Sequence, residues 1–165
     1  MPYGSPETAY IGLGSNLGHG PARLRAAIAA IDRLPRTTTV RRSAWYRSLP
    51  MGGVSQPSFT NAVVQIRTRL SPLVLLAELH GIERRCGRIR TLRWGPRTLD
   101  LDLLVYADIV LDRPDLKIPH PGVPARPFVL YPMLEIAPGL EIPGMGTPAS
   151  LIRDCPGPAP RRLSD

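Results

Sequence analysis

The order of the hydrophobic patterns along the chain is the feature that most limits its possible folds. Four segments have the β-branched, aromatic or alternating composition of strands, namely residues 8–13, 37–46, 61–68 and 99–103. Two segments carry apolar residues at helical spacing, namely residues 21–34 and 71–87. The elements therefore follow one another as β-α-β-β-α-β, which predicts an α+β protein built as a ferredoxin-like sandwich.

Further elements are expected after this unit. Residues 109–111 and 118–120 have the composition of short extended segments, and residues 127–137 form a helical pattern that Pro132 weakens. Residues 156–165 are rich in proline and polar residues, so we predict a flexible tail there. The 165 residues are the size of one domain, and we expect a single domain with extra C-terminal strands and helices.

Composition restricts the class of protein. Apolar residues make up 43% of the chain, which is enough for a core. The longest apolar runs are well short of the roughly 18 residues that a membrane span needs. Residues 1–7 lack the basic start and apolar stretch of a secretory signal, and we expect them to be flexible. The composition therefore predicts a soluble protein of the cytoplasm.

The positive charge is concentrated in the first part of the chain. The formal net charge is +8, and residues 1–97 carry 15 basic and 4 acidic side chains, against 6 and 9 in residues 98–165. Six arginines and no acidic residue lie from position 84 to position 97. Lys117 is the only lysine. A preference for arginine over lysine is also typical of a GC-rich genome, so the position of the positive charge is more informative than its amount. The cluster predicts an anionic partner, and phosphate suits the planar donors of arginine.

Asp100 and Asp102 are the strongest local signal for chemistry. Residues two apart on a strand share a face and lie roughly 6.6 Å apart, so both carboxylates point to one side while the neighbouring leucines point to the core. Magnesium is the natural cation for two carboxylates together with phosphate oxygens. The alternative is a solvated strand face on which an arginine pairs with the carboxylates. The arginines just upstream favour the metal site.

Common nucleotide-binding and hydrolase motifs are missing from the sequence. Lys117 is outside any GxxxxGK[ST] motif, and the glycines from Gly12 to Gly18 lack GxGxxG spacing, so we interpret them as a tight turn. The chain has no GxSxG or HExxH motif either. Residues 47–58 and 88–98 are rich in glycine, proline or arginine, and we expect both to be mobile loops with a function.

A longer motif surrounds the two aspartates. Residues 93–102, RWGPRTLDLD, resemble nearly letter for letter the signature of the 6-hydroxymethyl-7,8-dihydropterin pyrophosphokinase family of folate biosynthesis. Further matching segments follow in the family's order: YIGLGSNL at 10–17, QPSFTN at 56–61, IE at 82–83, GRIR at 87–90, IPHP at 118–121 and RPFVL at 126–130. The resemblance covers roughly residues 8–143, and it implies a monomeric pyrophosphokinase.

The resemblance implies transfer of an intact pyrophosphoryl group from ATP to the hydroxymethyl oxygen of the pterin, with release of AMP. Asp100 and Asp102 would hold two magnesium ions, and Arg88 and Arg97 would act on the phosphates as catalytic residues. The residues expected to bind ATP are Glu83, Arg90, Trp94, Arg97, His120 and Arg126. The residues expected to bind the pterin are Ser48, Leu49, Met51, Phe59, Asn61, Trp94 and Phe128.

These residue types suit a pterin, which is a flat aromatic ring with an amide-like edge. Aromatic side chains can stack on the ring, and Asn61 can hydrogen-bond to its polar edge. Taken singly, such aromatic residues are more often core residues, and an asparagine at the start of a strand is more often a turn former. Only their occurrence together with the aspartates and arginines favours a pterin site. Four positions depart from the family's pattern and leave adenine recognition open: His80, Asp115, Lys117 and Pro121.

An RNA-binding module is the alternative function. The order β-α-β-β-α-β is also that of the RRM domain, and the first part of the chain is basic. An RRM, however, carries aromatic residues on its central strands, in a stretch such as RGFGFV. This chain has no such stretch and only 5% aromatic residues. The sequence therefore favours the enzyme.

Overall fold

Two layers of helices enclose an antiparallel sheet in the computed structural model, which describes residues 4–15, 20–48, 59–86 and 99–164. The strands are β1 (Glu7–Ser15), β2 (Thr37–Arg42), β3 (Tyr46–Ser48), β4 (Phe59–Thr68), β5 (Asp100–Tyr106), β6 (Leu111–Asp112), β7 (Lys117–Ile118) and β8 (Arg161–Arg162). The helices are α1 (Gly20–Asp32), α2 (Pro72–Cys86), α3 (Pro127–Ile136) and α4 (Pro148–Asp154), with a 3-10 turn at Val123–Ala125.

The strand order agrees with the sequence prediction. Within the described residues, the main sheet runs β5-β1-β4-β3-β8, and β2 pairs with the other half of β4. All of these pairings are antiparallel. Strands β2 and β3 together take the place of the second strand of the βαββαβ unit. The ferredoxin-like α+β fold is confirmed, and β6 and β7 form a separate hairpin.

Helices α1 and α2 form because each presents an apolar stripe to one face of the sheet. Leu24, Ala27 and Ile31 are the buried side chains of α1, at the spacing of a single helix face, and Leu75 and Leu79 play the same part in α2. They pack with inward-facing residues of β1, β4 and β5 into the first core cluster. Fully burying a leucine or isoleucine contributes roughly 1.5–3 kcal/mol, so this interface accounts for much of the fold's stability.

Strand β5 contributes side chains to the cores on both faces of the sheet, and its pairing with β1 contains a register shift. Leu101 and Leu103 face the first core cluster, as strict alternation predicts. The pairing then shifts by one residue, and Leu104 and Val105 both enter a second core cluster that contains the buried face of α3. Asp100 and Asp102 alternate with the buried leucines and lie on the same side as α3, where they are partly exposed.

The structure differs from the sequence prediction at residues 37–46. The predicted single strand is divided into β2 and β3, which pair with successive parts of β4. Between them the ladder is interrupted, because the backbone N–H of Val63 donates to the hydroxyl of Ser43 and not to a backbone carbonyl. Trp45 is only 1% exposed and belongs to the first core cluster. Helix α3 continues through Pro132, which is buried, so packing of this helix in the second cluster outweighs the hydrogen bond that proline cannot donate.

The C-terminal segment also differs from the prediction of a flexible tail at 156–165. Strand β8 pairs with β3, and the backbone N–H of Leu163 donates to the carbonyl of Trp45. Helix α4, which was not predicted, begins with a capping box between Thr147 and Ser150. At the other end of the chain, the side chain of Arg67 donates a hydrogen bond to the carbonyl of Pro6. Pro6 therefore differs from the predicted flexibility of residues 1–7.

No helix within the described ranges is both long enough and apolar enough to span a bilayer.

Leu104 is the residue we choose to test the second core cluster. It is 0% exposed and lies 3.3 Å from the position that a Cβ on Gly12 would occupy, so Leu104→Ala leaves a cavity under β1. We expect a loss of about 2–5 kcal/mol in the free energy of unfolding by urea. Val110, at 70% exposed, is the matched control, and Val110→Ala should cost less than about 0.5 kcal/mol. Equal losses would contradict the proposed burial.

Candidate active site

A row of four residues crosses one end of the sheet on the face away from α1 and α2. The strand registers place Gly14 opposite both Asp100 and Asn61, and Asn61 opposite Tyr46. Neighbouring strands lie about 4.8 Å apart, so Asp100 and Asn61 are about 10 Å apart with a residue that has no side chain between them. The row therefore runs from the carboxylate of Asp100, across the backbone of Gly14, to the amide of Asn61 and then to Tyr46.

Asp102 lies one step along β5 from this row and contacts α3. Its Oδ2 is 3.6 Å from Nη1 of Arg126, the N-cap residue of α3, and both side chains are partly exposed. A pair at this distance and exposure contributes at most about 1 kcal/mol, so it leaves the carboxylate available to a stronger ligand. Asp100 and Asp102 thus present oxygen atoms to the same side of the sheet.

Glu83 joins α2 to the edge of β5. Its Oε2 accepts a hydrogen bond from the backbone N–H of Leu101 at 3.0 Å. Burial raises the pKa of Glu83, and the charges of Asp100 and Asp102 raise it further, while the hydrogen bond and His80 act in the opposite direction. The charges of Asp100 and Asp102 thus oppose ionisation of Glu83, and a cation at this edge would reduce that repulsion.

The surroundings of His120 favour its neutral form. Its Nδ1 accepts from the backbone N–H of Gly122 at 3.0 Å, and its own backbone N–H donates to the carbonyl of Leu104. Burial lowers the pKa of His120 from its ordinary value of 6.5; Asp102 acts in the opposite direction and Arg126 in the same direction. His120 is therefore mainly neutral at pH 7, with its proton on Nε2, so it can donate a hydrogen bond.

Arg126 lies between the carboxylates and an aromatic ring. Its guanidinium carbon is 5.9 Å from the centre of the Phe128 ring. A Cβ on Gly122 would lie 2.7 Å from Nε of Arg126, so glycine at this position leaves room for the guanidinium. The turn before α3 therefore places Arg126 against Asp102 and Phe128 together.

The orientation of the Asn61 amide is set by Ser48. The hydroxyl of Ser48 donates to Oδ1 of Asn61 at 2.8 Å, and Asn61 is only 6% exposed. Its Nδ2 is consequently turned toward β1, 3.0 Å from the position that a Cβ on Gly14 would occupy. Phe59 pairs with Ser48 across the two strands, at the open end of β4. This corner presents an amide donor beside an aromatic ring.

The structure brings together the described residues that the sequence singled out. They lie on the α3 side of the sheet or at the edge of β5: Ser48, Phe59, Asn61, Glu83, Asp100, Asp102, His120, Arg126 and Phe128. The remaining predicted residues lie outside the described residues: Leu49, Met51, Arg88, Arg90, Trp94 and Arg97. Of the predicted loops at 47–58 and 88–98, residues 47 and 48 belong instead to β3, and residues 49–58 and 88–98 lie outside the described residues.

Sequence reasoning missed the contribution of three glycines. Gly12 and Gly14 were interpreted as part of a tight turn, but both lie within β1 and face Leu104 and Asn61. Gly122 has no part in the sequence prediction. A glycine inside a strand commonly marks a close approach of another group, and that signal was present in the sequence.

Two of the four atypical residues, Asp115 and Lys117, take part in ion pairs with neighbouring side chains. Asp115 pairs with Arg113 at 3.1 Å, and Lys117 pairs with Asp112 at 3.0 Å, all on exposed positions of the β6–β7 region. Exposed pairs of this kind contribute little to stability. They account for Asp115 and Lys117 without any ligand.

Two carboxylates alone do not make a complete metal site. Within residues 4–15, 20–48, 59–86 and 99–164, no group of three or more histidine, cysteine, aspartate or glutamate side chains could hold a metal ion. Magnesium, however, is commonly bound by one or two carboxylates, with substrate phosphates and water as its remaining ligands. Asp100 and Asp102 therefore fit magnesium that binds together with a phosphate-bearing substrate.

Comparison with known proteins gives a consistent family. A family model described as 7,8-dihydro-6-hydroxymethylpterin-pyrophosphokinase matches residues 10–138. A curated relative from Pseudomonas aeruginosa, named 2-amino-4-hydroxy-6-hydroxymethyldihydropteridine pyrophosphokinase, is 45% identical over 157 residues, which cover 95% of this chain and 97% of the relative. A relative of the same name from Haemophilus influenzae is 46% identical over 146 residues, which cover 88% and 91%.

Solved structures share the fold at low sequence identity. A crystal structure of an HPPK-DHPS in complex with substrates has a TM-score of 0.69 and 12% identity, and the match covers 92% of this chain and 43% of that chain. Wild-type HPPK-DHPS from Plasmodium falciparum with pteroate has a TM-score of 0.73 and 13% identity, with 90% and 44% covered. The chain thus spans less than half of these longer proteins, and the likeness supports the fold.

Glu83 provides a test of the electrostatics. Because its pKa is raised above the ordinary value of 4.5, its contribution to stability is complete below that pH and is lost as the pH rises through the raised pKa. Glu83→Gln keeps an acceptor for Leu101 and removes the charge. We expect the variant to be more stable than wild type at pH 7, and this gain to shrink as the pH falls through the raised pKa of Glu83 and to be gone below the ordinary value of 4.5.

Urea unfolding of both proteins across this pH range measures the difference. Glu78→Gln, on the same helix, controls for the effect of the substitution on helix propensity. A variant that is less stable than wild type at pH 7, with the difference vanishing in acid, would show that the carboxylate is stabilised and not repelled.

Proposed function

The chain belongs to the 7,8-dihydro-6-hydroxymethylpterin pyrophosphokinase family, and we propose that the face formed by β5, β1 and β4 is where it performs the family's reaction. That reaction transfers a pyrophosphoryl group from ATP to the hydroxymethyl group of 6-hydroxymethyl-7,8-dihydropterin in folate biosynthesis, with AMP as the second product. The chain is thus an ATP-dependent diphosphotransferase. The family match gives no support to the RNA-binding alternative.

One observation carries the assignment of this face. Asp100 and Asp102 lie about 10 Å across the sheet from an amide whose donor is turned toward them. A pyrophosphoryl transfer needs a place for charged phosphates and, within reach of it, a place for the neutral acceptor. The carboxylate end suits the first, through cations, and the amide and aromatic corner suits the second.

We assign the phosphate end to two magnesium ions held by Asp100 and Asp102. When bound, such ions neutralise phosphate charge and polarise the phosphoryl oxygens. The fit rests on the shared face of the two carboxylates and on the repulsion that Glu83 experiences from them. The number of ions is part of the proposal.

Around this end, the side chains of the protein orient ATP. The guanidinium of Arg126 lies beside Asp102, and neutral His120 offers a donor from Nε2, so both can hydrogen-bond to phosphate or ribose oxygens. Glu83 holds the edge of β5 in place and stays near the nucleotide. Arg88, Arg90, Trp94 and Arg97 are assigned to the same substrate on the sequence motif alone. Of these, Arg88 and Arg97 are proposed to stabilise charge that develops during transfer.

The acceptor pterin is assigned to the amide corner. Asn61 would donate to an acceptor atom on the pterin edge, and Phe128 and Trp94 would stack on its ring. Phe59 and Ser48 border the same corner from β4 and β3. Leu49 and Met51 follow Ser48 in the sequence and are proposed to cover the ring.

The remaining proposals concern the state of the protein. We propose that residues 1–165 work as one catalytic domain, that the protein acts as a monomer, and that it works in the cytoplasm, where ATP and the pterin precursor are available.

A coupled assay for AMP tests the function directly. Purified protein with ATP and magnesium should form AMP only when 6-hydroxymethyl-7,8-dihydropterin is added, and omission of magnesium should abolish the product. AMP formation independent of the pterin would contradict the assignment. Tight binding of generic RNA at physiological salt, without ATP consumption, would favour the RNA-binding alternative.

Asp102→Asn tests the metal ligands. The substitution keeps the size of the side chain and removes its charge, so the fold should persist while kcat falls by more than about 10²-fold, because stabilisation of the phosphate charge is lost. Asp112→Asn, at an exposed aspartate of β6, is the control and should keep wild-type kcat. If the Asp102 variant kept more than about a tenth of wild-type kcat, the metal assignment would be wrong.

Gly14→Ala tests the pterin corner. The added Cβ would lie 3.0 Å from Nδ2 of Asn61 and displace the amide. We expect the Kd for the pterin to rise about tenfold, equivalent to about 1.4 kcal/mol, with the Kd for a non-hydrolysable ATP analogue nearly unchanged. Calorimetry separates the two ligands, and Gly139→Ala, where a Cβ meets no atom within 4 Å, is the control. Equal weakening of both ligands would argue against a pterin site here.

A further inference from the structure

Glu135, on the last turn of α3, is a junction of contacts that the reaction described above does not use. Its Oε1 accepts from the hydroxyl of Tyr46 at 2.7 Å, and its carboxylate accepts from the backbone N–H of Ala44 at 3.0 and 3.1 Å. Its Oε2 lies 3.7 Å from Nη2 of Arg162 in β8. One carboxylate thus holds the beginning of β3 and the strand that covers its outer edge.

Strand β3 needs such support because it is short. It has three residues, and it pairs with β4 on one side and with the two residues of β8 on the other. Residues 49–58, which follow it, lie outside the described residues. Among the described parts of the chain, β3 is therefore held by two ladders and by the contact with Glu135.

Tyr46 borders the proposed pterin corner on the β3 side. It lies directly opposite Asn61, and side chains of such cross-strand pairs have Cβ atoms about 4.5–5.5 Å apart. Tyr46 is buried, and burial together with the hydrogen bond to Glu135 raises its pKa to about 12, so it remains a donor to Glu135 at neutral pH. Two residues further along β3, Ser48 donates to Oδ1 of Asn61.

We propose that Glu135 is a positioning residue for the acceptor substrate, acting through Tyr46 and β3 on the amide of Asn61. Glu135 fixes the Tyr46 ring, which lies beside the Asn61 amide, and it fixes β3, which carries the Ser48 hydroxyl. The ring and the hydroxyl together set the orientation of the amide. The inference rests on the proposed function of the corner as the pterin site.

Loss of the Glu135 carboxylate should affect binding of the pterin and binding of ATP differently. The Asp102 and Arg126 pair lies at the opposite end of α3 from Glu135, since Arg126 is the N-cap residue of the helix and Glu135 is in its last turn. Over nine residues a helix rises about 13 Å, so loosening of Glu135 leaves the phosphate end in place. Loss of the carboxylate should therefore weaken pterin binding and leave ATP binding unchanged.

Two variants remove the contact in different ways. Glu135→Gln replaces the charged acceptor by a neutral amide, and Tyr46→Phe removes only the hydroxyl. Each should raise the Kd and the KM for 6-hydroxymethyl-7,8-dihydropterin at least roughly fivefold, because small misplacements of a substrate contact are costly. The Kd for a non-hydrolysable ATP analogue should stay within about twofold of wild type. The double variant should be little worse than the single variants, because both break the same link.

Arg161 and Arg162 provide a matched control pair. Both are exposed arginines of β8, and Arg162 is the one that contacts Glu135. Arg162→Gln should raise the pterin Kd in the same direction as Glu135→Gln but less, while Arg161→Gln should leave it unchanged. Thermal unfolding of each variant shows which of them are folded; if Glu135→Gln is not, Tyr46→Phe and Arg162→Gln carry the test.

The outcomes distinguish this inference from the proposed function. A wild-type protein that fails to bind the pterin or to form AMP overturns both. A wild-type protein that is active, with folded Glu135 and Tyr46 variants whose pterin Kd is within about twofold of wild type, overturns the positioning role alone. Variants that lose pterin and ATP-analogue binding equally also overturn it, because they indicate a general structural role.

Discussion

The structure depends on strand β5 meeting two opposite demands. Leu101 and Leu103 are buried against α1 and α2, while Asp100 and Asp102 remain accessible on the other face. Alternation of side chains lets one strand satisfy both demands, but only in one register, because a slip by one residue would bury the carboxylates and expose the leucines. Burying an unpaired carboxylate costs several kcal/mol, so the alternating pattern itself selects the pairing with β1.

The other elements complete the site by what they supply or leave out. Strand β1 contributes backbone without side chains at Gly14, which leaves the floor between the carboxylates and Asn61 open. Helix α2 supports one edge through Glu83, and α3 supports the opposite side through Glu135. The same helix places Arg126 at its other end, beside Asp102. The two substrates thus have separate supports on a common face.

The sequence predicted the parts of this arrangement that depend on local pattern. The order of strands and helices, the shared face of Asp100 and Asp102, and the family followed from periodicity and from the RWGPRTLDLD motif. The sequence could not show the pairing of β8 with β3, because a two-residue strand has no periodicity and forms only where an edge is open. Nor could it show Glu135 as a junction, since Tyr46 and Ala44, to which it is hydrogen-bonded, lie about 90 residues away in the chain.

The most direct test of the account locates both ligands on the sheet. Backbone and side-chain amide resonances of the wild-type protein can be followed by NMR during titration with magnesium and an ATP analogue, and then with 6-hydroxymethyl-7,8-dihydropterin. We predict that the nucleotide shifts resonances around Asp100, Asp102 and His120, and that the pterin then shifts the Asn61 side-chain amide. The largest shifts at the opposite end of the sheet, around Arg67 and Arg69, would contradict it.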